Sequence, residues 1–276
     1  MRIVVRLFAL GLVFALSTAV LTSCWSAREI DQLAFIVALG VDKEDDVVKL
    51  TVQVVVGGGG TGGEGEGSGA PVWVTSATGN SLSEAVFNLK RVISKTPFWS
   101  HAYVLILGEE LARESIAEVL DWVSRDRQGR DSLMVAVTLG SAEDILKIEP
   151  KMTQLPAEYI EVLLRLGVET GYVPDGHLLP IRIAYANRPG MQVMMPLIQP
   201  QPQEDTGGGS GGQNPAAGTA GEAGGGEAKP ESIELIGTAV FRDDRMVGTL
   251  DLRESRGVAW LTGKISDTLV DRKSVV

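Results

Sequence analysis

Few residues in this chain have the chemistry of a nucleophile, a base or a metal ligand. Cysteine occurs once, at Cys24, and histidine twice, at His101 and His177. A hydrolase needs a nucleophile beside its base, and no G-x-S-x-G elbow accompanies either histidine. The H-E-x-x-H spacing of a zinc site is also missing. His101 is expected at the edge of a buried strand, and His177 in a loop beside prolines. The acid pairs Glu109 with Glu110 and Asp243 with Asp244 fall at a helix start and a turn, where carboxylates favour the helix dipole or face water. Asp42, Glu44, Asp45 and Asp46 lack the spacing and distal glutamate of a calcium loop and read as a solvated turn. One polar cluster remains, "LRESRG" at 252–257. Its Glu254, Ser255, Arg256 and Gly257 are expected either to form a local ion pair and cap or to present a contact surface to a partner protein. No catalytic residue, metal site or cofactor site emerges, and the chain reads as non-enzymatic.

Cys24 carries a different chemistry. Arg2 and Arg6 form a positive start, and the apolar run Leu7 to Val20 has the length of a secretory h-region. A comfortable membrane-spanning helix needs about 20 apolar residues. The run ends in Leu21-Thr22-Ser23-Cys24, which fits a bacterial lipobox: the thiol takes diacylglycerol and the signal peptide 1–23 is removed. Two acyl chains anchor a protein stably where one does not. Cys24 is therefore expected to be the lipid attachment site and residue one of the mature chain.

Composition narrows the function further. The formal charge is −10, and removal of 1–23 takes away two arginines and no acid. No basic patch with interleaved aromatics suggests nucleic-acid binding. With its one cysteine at the lipobox, the mature chain has no internal disulfide and no thiolate metal site. Glycine-rich tracts at 57–70 and 201–230 read as disordered connections. Neither carries the G-x-x-x-x-G-K-[ST] pattern of a phosphate loop.

The elements between the tracts are regular. Residues 33–42 form an apolar run, and 47–56 put Val48, Leu50, Val52, Val54 and Val56 on one face with Lys49, Thr51 and Gln53 opposite, predicting a hairpin through "KEDD". Strand 72–77 leads to a helix opened by a Ser81–Glu84 capping box, with Leu82, Ala85, Val86, Leu89, Val92 and Ile93 inward. Strand 102–108, a helix burying Ala112, Ile116, Val119, Leu120 and Val123, and strand 132–140 follow. A short helix from Ser141 and another over 156–166, stopped by Gly167, come next. Alternation implies crossovers and parallel pairing beside the antiparallel hairpin. The fold class expected is α+β. A mixed sheet with helices forms an N-terminal domain over 24–170, and a smaller α+β unit over 171–265 straddles the second tract. That unit includes strands at 190–198 and 232–251, a turn at "RDDR" and a helical segment from 252.

Several blocks together resemble a known family. "CWSAREIDQLAFIVALGVDKEDD", "FWSHAYVLILGEELARESIAEVLDWVSRD", "AEDILK" and "GTAVFRDDRMVGTLDLRESRGVAWLTGKI" are similar to the C-subunit lipoproteins of spore nutrient germinant receptors, the Ger(x)C family. The resemblance implies a non-enzymatic lipoprotein on the outer face of the spore inner membrane, working with integral-membrane A and B subunits in nutrient-triggered germination. It carries Cys24 over as the lipid site and 254–257 as a motif without an assigned role. Family members continue into a third α/β unit after the "TGK" block, so the tail 266–276 implies that this unit is missing here. The alternative is an extracytoplasmic lipoprotein that binds a small solute in a cleft.

Overall fold

A computed structural model describes residues 1–21, 29–56, 72–126, 128–150, 155–187, 192–201 and 232–263. Cys24, the tract at 57–70, nearly all of the tract at 201–230 and the tail from 264 lie outside the described residues. Met1–Leu33 forms one unit and Ala34–Val276 a second, compact one. The first holds α1 (Arg2–Leu21) and a 3-10 turn at Ile30–Gln32. Among the described residues no helix is long and apolar enough to cross a membrane.

The second unit begins as the apolar pattern predicts. β1 (Leu33–Glu44) and β2 (Val47–Val55) pair antiparallel through a tight turn in which Asp45 takes a left-handed φ of 52°. β3 (Val72–Gly79) adds to β2, and β4 (Thr96–Phe98) pairs with β1. β5 (Val104–Leu107), β6 (Met134–Thr138) and β7 (Met194–Pro200) continue from β1 in parallel. β8 (Ile233–Arg242) and β9 (Arg245–Leu250) close the order β3-β2-β1-β5-β6-β7-β8-β9 as an antiparallel edge. The fold is α+β on a mixed sheet. The sheet crosses the boundary expected near residue 170 without a break, because β6 bonds directly to β7, so the strands expected in a second unit extend the first one's sheet.

The central strands are buried on both faces, which is why they read as continuous apolar runs. Leu105, Leu107, Val135 and Val137 face one core, shared with α2 (Leu82–Leu89), α3 (Glu109–Glu114), α4 (Ala117–Arg125) and α7 (Leu178–Ala186). Val104, Ile106, Met134 and Ala136 face the other, shared with α5 (Ala142–Leu146) and α6 (Pro156–Glu169). The polar face of β2, opposite its valines, is covered as well. Thr51 and Gln53 are fully buried, and Gln53 Nε2 donates to the Leu146 carbonyl at 2.7 Å.

Several local expectations change for identifiable reasons. The single helix expected to bury 112–123 is two, α3 and α4, broken at Ser115 and Ile116, although all five residues point inward as expected. α2 ends at Leu89, and Val92 is exposed. α6 runs through Gly167 to Glu169. A Cβ on Gly167 would lie 2.4 Å from Leu235 Cδ1, so this glycine admits a packed neighbour instead of stopping the helix. The left-handed residue that ends α6 is Gly171, at φ 72°. His177 stands at the N-cap position of α7 without a side-chain capping bond, in a helix that Pro174 and Pro180 conceal.

Candidate functional site

The parallel strands set up the place where folds of this kind bind ligands, the crevice beyond their carboxyl ends. Here an open crevice of about 470 Å³ is lined by Asp42, Lys43, Glu44, Glu109, Glu110, Arg113, Gly140 and Ser141. Asp42 leaves the end of β1 and is 4% exposed, so its expected place in a solvated turn is corrected. Its Oδ1 accepts from the Ala142 N–H at 2.6 Å, and its Oδ2 accepts from the Glu143 N–H at 3.1 Å and the Ser141 hydroxyl at 3.2 Å. The first amides of α5 are therefore satisfied by a carboxylate 100 residues earlier in sequence. On the other side, a Cβ at Gly108 would stand 2.1 Å from Asp42 Oδ1. Glycine there lets the carboxylate enter between α3 and α5.

Electrostatics follow from that position. Burial pushes the Asp42 carboxyl above its ordinary value, against the opposing pull of the Ala142 and Glu143 amides, the Ser141 hydroxyl and the Lys49 charge. Lys49 bridges Glu44 at 2.7 Å and Glu143 at 2.6 Å, and hydrogen bonds to Glu143 and Glu44 raise its own pKa. Burial acts to raise the Glu143 carboxyl too, but bonds from Lys49 and Lys147 outweigh it and hold it low. Arg113 pairs with Glu109 at 2.8 Å and Lys43 with Glu114 at 2.5 Å. The donors and cations that would grip an anionic ligand in the crevice are engaged by the chain's own carboxylates.

Neither histidine reaches this place. His101 lies exposed in the turn before β5, within 5.8 Å of Phe35 and 5.6 Å of Phe98 between ring centroids. His177 bonds Asp175 Oδ1 through Nδ1 at 2.6 Å and bridges to Met134 at the amino end of β6. Among the described residues no group of three His, Cys, Asp or Glu could hold a metal ion.

The cluster at 254–257 opens α8 (Leu252–Thr262). The Glu254 N–H donates to Asp251 Oδ1 at 2.7 Å and the Asp251 N–H donates to Glu254 Oε2 at 3.0 Å, a reciprocal capping box. Ser255 is buried, its hydroxyl 2.8 Å from that of Thr238 on β8. The Arg256 guanidinium lies 4.6 Å from the centre of the Tyr172 ring, and its Nε is buried without a hydrogen-bond partner among the described residues. Glu254 and Arg256 thus engage different neighbours and do not form the expected ion pair. A Cβ on Gly257 would meet nothing within 4 Å. Cys24 lies outside the described residues.

From sequence Asp42 reads only as one acid of a solvated turn and Asp244 only as one of a turn pair, and the Ser115 hydroxyl that donates to the Asp244 carboxylate is not singled out. The only signal for Asp42 was its position at the end of an apolar run, and Ser115 gave none.

The family described as "Spore germination protein N-terminal domain" matches residues 26–200, and "Spore germination B3/ GerAC like, C-terminal" matches residues 236–274. Three Bacillus subtilis (strain 168) proteins are similar. The putative spore germination protein YfkR is 33% identical over 52% of this chain and 38% of its own length. Spore germination protein KC is 30% identical over 58% of this chain and 41% of its own length, and spore germination protein B3 is 29% identical over 89% and 59%. The chain thus spans less than two thirds of the length of each of these relatives. No solved structure gives a significant match. With the N-terminal family matched over more than half of its residues and the C-terminal one resuming in β8, the chain belongs to the GerAC-like family of spore germination proteins.

Proposed function

We propose that the chain is a non-enzymatic subunit of a spore nutrient germinant receptor, lipid-anchored through Cys24 on the outer face of the spore inner membrane and acting through contacts with integral-membrane A and B subunits. Family membership supports the germination role. The observation that separates this reading from solute binding is the crevice itself: Asp42 occupies the α5 amides that a small anionic ligand would need. A function carried by surfaces fits that arrangement better than one carried by a cleft.

A strain lacking the gene tests the reading. Spores should fail to germinate on the receptor's nutrient and should germinate normally on a trigger that bypasses receptors. Normal nutrient response overturns the assignment. Cys24→Ala tests the anchor: fatty-acid label and membrane association should both be lost, and equal labelling of wild type and variant excludes Cys24 as the lipid site. A saturable rise in melting temperature with one nutrient would favour the solute-binding alternative.

A further inference from the structure

The two ends of the sheet differ in charge. Because β1, β5 and β6 run parallel, their carboxyl ends bring together Glu44, Glu109, Glu110 and Asp144, with the Asp45 and Asp46 turn beside them. Their amino ends carry another chemistry. Phe35 near the start of β1 meets Phe98 of β4 edge-on at 5.8 Å, and exposed His101 lies against both rings. Lys95 directly precedes β4. Lys90 and Arg91 follow α2, which brings the chain back from the acidic end, and Arg130 donates to the Ser100 carbonyl at 3.3 Å. All four cations are exposed, and none pairs with a carboxylate among the described residues. Three acids also lie at this end: Asp131 pairs with Arg182 at 2.9 Å, Asp175 with His177, and Asp126, which shares a pocket with Arg130, accepts from the Gln128 N–H at 2.7 Å.

Distance makes this segregation matter. From Phe35 to Glu44, β1 advances about 30 Å. The interaction between exposed charges falls off over about 8 Å at physiological salt. The acidic end therefore has little influence on what the basic end meets, and the formal charge of −10 does not forbid an anionic contact there. β1 begins at Leu33, and the chain from Cys24 to that point can extend at most about 30 Å.

We propose that the amino end of the sheet, with Lys90, Arg91, Lys95 and Arg130 around the Phe35, Phe98 and His101 cluster, is the face that rests on an anionic phospholipid surface. The inference depends on the anchor at Cys24 proposed above. Each cation brought to such a surface is worth roughly fivefold in association. The sheet then stands on its basic end, with the Asp42 crevice directed away from the bilayer.

The test uses the full, acylated chain in vesicles of phosphatidylglycerol and phosphatidylcholine containing a headgroup-quencher lipid. With Cys24 blocked by lipid, a fluorophore is placed at Ser94→Cys near the basic end or at Ser83→Cys at the start of α2, both exposed positions. Quenching should be several-fold stronger at 94. It should even out when phosphatidylglycerol is omitted, or when Lys90, Arg91 and Lys95 are all changed to Gln. Equal quenching at both sites with the protein still on vesicles overturns the orientation and leaves the anchor standing. So does a bias that ignores lipid charge. Recovery of the protein free of vesicles instead removes the anchor, and the orientation with it.

Discussion

Ser115 and Asp244, 129 positions apart, share a 2.5 Å hydrogen bond from the serine hydroxyl to the carboxylate. The same turn accepts the Ile116 N–H on the Asp244 carbonyl at 2.9 Å. This contact explains why the helical pattern over 109–125 breaks in two: the backbone at the junction serves the β8–β9 turn instead of a helical partner. Ser115→Ala and Asp244→Ala should each cost about 1 to 2 kcal/mol. In a double-mutant cycle by urea denaturation their effects should be clearly non-additive. Additive effects would mean that the bond contributes nothing.

Asp42 and Gly108 form a second coupled pair. Gly108→Ala should displace the carboxylate and cost about 1 to 3 kcal/mol, comparable to losing a helix cap with a buried donor left unmet. In an Asp42→Ala background the same change should cost much less, since the nearest remaining neighbour of the added methyl is the Gly140 carbonyl oxygen at 3.3 Å. Equal costs in both backgrounds would show that Gly108 is needed for some other reason.

Stability should also report the protonation of Asp42. A carboxyl whose folded pKa lies above its unfolded value of 3.8 contributes stability that is fully present below that value. The contribution is lost as pH rises through the folded value. The wild type's advantage over Asp42→Asn should therefore shrink as pH rises from 3.8 through the folded value. Glu143 is held low and has the opposite sign: its contribution is present above its unfolded pKa and is lost as pH falls through the folded one. Denaturant melts of Asp42→Asn and Glu143→Gln across the acid range should diverge in opposite directions, and parallel profiles would refute the assignment.

The 254–257 cluster should behave as structure. Glu254→Ala should lower stability by about 1 kcal/mol through the capping box, and Arg256→Ala by about 0.5 to 2 kcal/mol through the lost contact with Tyr172. Partner binding should fall only in step with folding. A loss of binding at unchanged melting temperature would instead make Arg256 part of a contact surface.

Much of the fold could be read from local pattern. Runs such as 104–107 and 134–138 are apolar on both faces and could be little else than central strands. Ser81 and Asp251 each precede an acid by three residues and do cap helices, although at α2 it is the Asn80 N–H that Glu84 accepts, at 2.9 Å. What stayed hidden was set by distant neighbours. Alternation put Thr51 and Gln53 opposite the apolar face but could not show that α5 covers them, and α7 was obscured by Pro174 and Pro180. Asp42 read as one acid among four because the amides that hold it belong to residues 142 and 143. Local periodicity carries no information about a partner 100 positions away.

The pairing of β7 with β8 has a mechanical consequence. The match to the N-terminal family ends at residue 200 and that to the C-terminal family begins at 236, yet those limits fall on two paired strands, bonded from Met194 against Val240 to Pro200 against Ile233. A pull applied to α8 or β9 is therefore delivered through a ladder of backbone bonds to β6 and β5, as a force on a lever and not as slack in a joint.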